Sequence, residues 1–170
     1  MANMHSNMRG QGKPRPFGVR LLMWLQVLLA LGALAGGASF MLAPDGHVIQ
    51  MPLSNLKDSP FTNFLVPGIL LFTFVGLFPL AVAYGLWKRP DWHWPDAINP
   101  VKDTYWSWAG SLAAGAIIII WITVQVLLIR AVAFLHILYW VWGVVLVLLT
   151  LLPRVRRYYG RGPAYAGPKS

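Results

Sequence analysis

Gln125 and His136 are the polar side chains best placed to do chemistry in this sequence, because each sits inside a long apolar run. Gln125 lies five residues before Arg130 and His136 six after it. If the chain doubles back at Arg130, both lie at one depth, about two helical turns below the bend. Trp121 shares a helix face with Gln125 at i−4, and Tyr139, Trp140 and Gly143 share one with His136 at i+3, i+4 and i+7. The patch would then hold an amide, an imidazole, a phenol and an indole. Arg130 and the loop residues Asp45, His47 and Asp58 could cover it. The plainer reading is a Gln125–His136 hydrogen bond that fastens the hairpin, worth about 0.6–2 kcal/mol. The other is a ligand site for the headgroup of a lipid, a quinone or a pigment.

Several chemistries are disfavoured by what the chain lacks. It has no cysteine, which excludes disulfides, thiol redox chemistry, iron–sulfur clusters and cysteine-ligated zinc. It has no glutamate, and its five aspartates, Asp45, Asp58, Asp91, Asp96 and Asp103, all lie between apolar runs. Proton-coupled transport needs an ionisable group inside the membrane, and His136 is the sole candidate. Membrane proteases and isomerases that use intramembrane carboxylates lack their acid and base here, and no serine has an evident histidine partner for nucleophilic catalysis. A haem is disfavoured, because one histidine lies inside a span where a b-type haem usually takes two. Asp91, His93 and Asp96 share a proline-broken loop without a fourth ligand, so no metal site is expected. There is no metal, haem or nucleotide signal.

The elements that must position Gln125 and His136 are apolar helices. Four stretches carry no charge: Leu21–Pro44, Phe64–Trp87, Thr104–Ile129 and Ala131–Leu152. A helix of roughly 20 apolar residues crosses a hydrocarbon core about 30 Å thick. The chain is 57% hydrophobic and 11% charged, against about 25% charged in soluble domains. The expected fold is all-α: an integral membrane four-helix bundle with spans at about 19–43, 64–87, 104–129 and 133–152. A basic N-terminal segment (1–18) and a basic tail (153–170) flank it, leaving no separate soluble domain. Twelve of the fourteen Lys and Arg lie before the first span, between the second and third, or after the fourth; Lys57 and Arg130 are the exceptions. The positive-inside rule then puts both termini in the cytoplasm. The net charge of +9 is thus spent on topology and on anionic lipid headgroups, not on nucleic acid.

The first span has the basic start and small residues of a signal peptide. Its apolar run continues through Phe40, Met41 and Leu42, longer than a signal core of about 7–15 residues, and reads as an uncleaved anchor. Gly32 and Gly36 have the spacing for close helix packing, within the bundle or between copies. The outer connection, Pro44 to Asn63, opens on a Pro44-Asp45-Gly46 turn and a possible strand at His47–Met51. Leu53, Leu56, Phe61 and Phe64 then recur at near-helical spacing, as in a segment lying flat and capping the bundle like a lid. Pro79, with Gly76 upstream, should kink the second helix. Asp103 or Thr104 is expected to cap the third helix, and Trp92, Trp94, Trp106 and Trp108 to form an interfacial belt. No proline or glycine lies between Ile129 and Leu135, yet one helix of about 48 residues is too long for a bilayer, so the chain must turn near Arg130.

The order Pro44-Asp45-Gly46, Met51-Pro52-Leu53, Leu56, Ser59-Pro60-Phe61 and Phe64-Leu65-Val66-Pro67-Gly68 resembles a widespread group of small uncharacterised bacterial four-helix membrane proteins. Trp121-Ile122, Gln125, His136 and Tyr139 are similar to that group's third and fourth helices. The likeness spans roughly Leu21–Leu152; it implies the topology and a bacterial inner membrane, and no activity. A weaker likeness, in topology alone, is to DoxX-type proteins, with no shared motif and no cysteine for thiol chemistry. The leading expectation is a non-enzymatic accessory or scaffold subunit of a larger membrane complex. The alternative is a binder of a lipid-soluble ligand, such as a quinone-linked redox partner.

Overall fold

The computed structural model describes residues 15–90 and 92–161. Arg9, Lys13, Asp91 and Lys169, on which the charge count and the metal reading drew, lie outside them. Four helices are long and apolar enough to cross a membrane: α1 (Phe17–Leu42), α2 (Leu65–Lys88), α4 (Trp106–Ile129) and α5 (Phe134–Leu151). Two short helices, α3 (His93–Ala97) and α6 (Pro153–Tyr159), lie at the end of the bundle that carries both termini. The described residues form an all-helical fold without strands, as a multi-pass membrane protein requires. The ends of these four helices lie within two residues of the bounds expected at 19–43, 64–87, 104–129 and 133–152.

Leu22, Leu29, Val75, Val82, Ile118 and Leu146 form the centre of the packing. Large side chains such as Phe74, Ile120, Val141 and Leu148 stay exposed on the outward faces, where lipid replaces water. Contact between the helices is closest at glycines. A Cβ at Gly37 would stand 2.8 Å from the Gly68 carbonyl oxygen and 2.8 Å from the Phe72 nitrogen, so α1 and α2 touch backbone to backbone there. Gly115 and Gly143 do the same for α4 and α5, each within 3.0 Å of the other's carbonyl oxygen. The glycine pair singled out by its spacing, Gly32 and Gly36, makes looser contacts: Gly32 with the Tyr139 hydroxyl at 3.2 Å and Gly36 with Leu71 at 3.6 Å.

Pro79 produces a wide turn. It has no N–H, and its ring crowds the carbonyl four residues back. The helix absorbs this by a π-helical segment over Leu71–Leu77, in which the Phe78 N–H reaches back to Thr73 O. Thr73 Oγ1, inside this segment, donates to Ile69 O at 2.8 Å.

At the loop end, the expected strand at His47–Met51 is instead a 3₁₀ turn over His47–Ile49. Gly46 at φ 79° reverses the chain, and Met51 N–H bonds back to Gly46 O at 3.0 Å. With no neighbouring strand among the described residues, the backbone here takes local partners, turn carbonyls and the Asp45 carboxylate, to which the His47 N–H donates at 3.3 Å. A second 3₁₀ turn, Leu53–Leu56, follows. Phe64, 3% exposed, stacks on Phe40 of α1 with ring centroids 4.7 Å apart. The chain does turn at Arg130, which takes φ 54°, and α5 begins four residues later.

The termini end is more ordered than a tail reading allows. Residues 153–161 fold under the bundle, with Val155 and Tyr159 fully buried. Tyr105 N–H donates to Tyr159 O and Arg161 N–H to Asp103 O, and Tyr159 Oη donates to Leu86 O at 2.8 Å. Neither Asp103 nor Thr104 caps α4: its first position follows Tyr105, while Thr104 Oγ1 donates to Val101 O. Trp106 and Trp108 are 8% and 4% exposed, so only Trp92 and Trp94 of the four tryptophans face outward. Trp106 is drawn in by Trp92, which stacks on it at 5.7 Å, and Trp108 by its Nε1–H bond to Thr150 O.

Candidate functional site

Between α1, α2, α4 and α5, towards the loop end, lies a cavity of about 210 Å³. Gly32 and Gly36 form its α1 wall, Leu71 and Val75 its α2 wall, Trp121 and Gln125 its α4 wall, and His136 and Tyr139 its α5 wall. Ile49 and Met51 of the outer connection close it from above. Four expected site groups, Trp121, Gln125, His136 and Tyr139, therefore meet here with both singled-out glycines, although α4 and α5 present mainly apolar surface. Gly32 leaves room for Tyr139, whose hydroxyl would lie 3.2 Å from a Cβ at that position.

The hydrogen bonding differs from the plainer expectation. His136 does not bond Gln125; its Nδ1 accepts the Ala133 backbone N–H at 3.0 Å. That bond caps the first turn of α5, which has no serine or aspartate to do it. An accepting Nδ1 carries no proton, so the ring's proton sits on Nε2 as a donor. Among the described residues, neither the Gln125 amide nor the Tyr139 hydroxyl has a hydrogen-bond partner. The cavity thus offers an amide, a phenol and an imidazole N–H with capacity to spare.

Trp140 lies elsewhere. It lines a separate, outward-facing recess of about 270 Å³ with Thr123, Val126, Leu127 and Ile137. Consecutive residues on a helix point about 100° apart, so Tyr139 and Trp140 cannot both share the inward side of His136. His136 lines both spaces and stands between the cavity and the outer face of the hairpin.

The charged groups expected over the patch do not line it. Arg130 Nε pairs with Asp58 Oδ2 at 3.5 Å, tying the outer connection to the α4–α5 turn. His47 Nδ1 meets Asp45 Oδ1 at 2.6 Å in an exposed pair, and this hydrogen bond holds the Asp45 carboxyl below its usual range. The cover is apolar: Met51, Leu56, Phe61 and Phe64 pack towards Trp121 and Gln125. Because the Arg130–Asp58 pair is solvent-exposed, Asp58→Asn should change unfolding stability by less than about 1 kcal/mol; chemical denaturation in micelles checks this.

A second polar cluster escaped the sequence reading. Gln26 of α1 is fully buried, and its Nε2 donates to Ser111 Oγ at 2.9 Å, while Ser111 donates to Ser107 O. Its Oε1 has no partner among the described residues. The signal was present, since Gln26 is an amide inside a span like Gln125. Ser111→Ala would strand the buried Gln26 amide, whereas Gln26→Leu removes an unsatisfied oxygen and leaves Ser111 Oγ its bond to Ser107 O. Ser111→Ala should therefore lower stability by about 1 kcal/mol and Gln26→Leu by almost nothing, as read by unfolding in bicelles.

Among the described residues, no three His, Asp or Glu side chains come together to hold a metal ion. Comparison with protein-family models, curated proteins and solved structures finds no match to this chain.

Proposed function

We propose that this protein binds a lipid-soluble ligand bearing carbonyl or ester oxygens, a quinone or a lipid headgroup, in the cavity beneath the outer connection. The observation that carries the reading is the set of unpartnered polar groups on its wall, Gln125, Tyr139 and the Nε2–H of His136. All three are half-buried on the cavity wall, so a ligand oxygen could take their hydrogen bonds with little loss of hydration. Two hydroxyl or N–H donors and an amide suit a carbonyl acceptor. A pigment metal suits them less, because Nε2 already carries the ring proton and has no lone pair to give. In this reading the outer connection acts as a lid, and Arg130–Asp58 fastens it.

The twelve-to-two split of basic residues supports a cytoplasmic location for both termini, and the sequence resemblance supports a bacterial inner membrane. Membership of a larger complex as an accessory subunit becomes the second reading. Its sequence argument was the lack of catalytic groups, the interfacial aromatics and the small-residue face at Gly32 and Gly36, and the last of these is used inside the chain, against Tyr139 and Leu71.

A benzoquinone with a ten-carbon tail, titrated into the purified full chain in detergent, tests the site. His136→Leu should weaken binding about tenfold, the worth of one lost hydrogen bond. Thr123→Val, on the outward recess, should leave it unchanged. Undiminished binding in both His136→Leu and Gln125→Leu would remove the cavity from consideration.

A further inference from the structure

At the opposite end of the bundle, where α5 meets α6, a recess of about 450 Å³ opens between the last turn of α5 and the paired segments 103–104 and 160–161. Three arginines line it, Arg156, Arg157 and Arg161, against one carboxylate, Asp103. Each arginine is held in place. Arg156 lies over the Trp108 ring at 5.7 Å and 3.5 Å from Asp103. Arg157 donates through Nε to Pro153 O at 3.2 Å, which leaves its two terminal nitrogens for an incoming acceptor. Arg161 donates through Nη2 to both carboxylate oxygens of Asp96. The remaining wall is apolar: Leu151, the last residue of a spanning helix, and Pro153.

We infer that this recess is a binding site for the headgroup of an anionic phospholipid. The Trp108 indole bond to Thr150 O fixes the last turn of α5 beside the arginines, so the recess lies where a spanning helix leaves the hydrocarbon. Phosphate oxygens would meet the Arg156 and Arg157 guanidinium groups, which match them in geometry and charge. The acyl chains would run up the exposed side of α5 past Leu151 and Leu148, both at least half exposed. Counting Asp103 on Arg156 and Asp96 on Arg161, the three arginines leave one excess positive charge, so a choline cation is less welcome there than an uncharged glycerol headgroup and zwitterionic lipid is disfavoured. This goes beyond a diffuse attraction of basic segments to the membrane, and it is independent of the cavity at the loop end.

Native mass spectrometry of the delipidated full chain, titrated with phosphatidylglycerol or phosphatidylcholine, tests it. The first phosphatidylglycerol should bind at least about tenfold more tightly than phosphatidylcholine. The double variant R156Q/R157Q should lose about tenfold more of that affinity than R20Q/R154Q, which removes the same charge from exposed arginines outside the recess. Circular dichroism would confirm that both variants keep their helices. Equal binding of the two lipids, or equal losses in the two variants, overturns the site. So does displacement of the lipid by millimolar glycerol phosphate, which would make the ligand a soluble phosphate.

Discussion

Gly37→Ala is expected to destabilise the bundle by about 2–3 kcal/mol, while Gly36→Ala, one residue away, should change it by less than about 0.5 kcal/mol. The contrast follows from what each new methyl would meet. At Gly37 the nearest atoms are Gly68 O, Phe72 N and Phe72 Cβ, all at 2.8 Å. Two of these are backbone, so relief requires α1 and α2 to separate. At Gly36 the nearest atom is the end of the Leu71 side chain at 3.6 Å, an ordinary contact. In lipid no hydrophobic force holds helices together, and close approach at small residues supplies the attraction instead. Separating α1 from α2 therefore loses packing along the whole crossing. Reversible unfolding of the two variants in bicelles reads the difference; similar values would mean that the crossing is looser than described.

Tyr159→Ala should cost about 3–5 kcal/mol, as large aromatic truncations in packed sites do. Tyr159 is fully buried where α6 closes the termini end. Its hydroxyl donates to Leu86 O, its carbonyl accepts from Tyr105 N–H, and the Arg89 guanidinium lies 4.8 Å from its ring. Arg89 is itself bound to Tyr158 O at 2.9 Å and sits 4.0 Å over that ring, so the tyrosine pair and the cation form one unit. Tyr159→Phe should cost only about 1 kcal/mol, the hydrogen bond alone. The pH dependence supplies a further check. Burial pushes the Tyr159 hydroxyl well above the usual phenol range. A group raised on folding contributes stability that is intact below its unfolded value, about pH 10, and is lost as pH climbs beyond it. Stability should therefore fall above about pH 10 in the natural protein and fall less steeply in Tyr159→Phe.

Much of this architecture is legible because lipid imposes simple arithmetic. Charge-free runs of the right length gave the four helices, and the impossibility of one helix through Arg130 gave the tight hairpin. The same counting put Gln125 and His136 at one depth, where they line one cavity. Orientation about a helix axis was harder. Spacing of three or four residues placed both Tyr139 and Trp140 beside His136, but they fall on opposite sides of it, and packing selects the one that meets Gly32. Spacing likewise nominated Gly32 and Gly36 as a packing pair, while the closest crossing uses Gly37 with Gly68, a partner distant in sequence. Arg154, Arg156 and Arg157 read as a solvated tail because their charges mask Val155 and Tyr159, whose i,i+4 spacing marks a buried helix face. The His136–Ala133 bond was not legible, because it depends on where the turn hands over to helix.

Native mass spectrometry of the unaltered chain, extracted gently from its own membrane, tests the central claim most directly. Ligand binding in the cavity requires the 19.0 kDa polypeptide to carry a discrete small-molecule mass that disappears in Gln125→Leu/His136→Leu. A bare polypeptide, or one found only in assemblies with other polypeptides and no bound small molecule, would contradict it and restore the subunit reading.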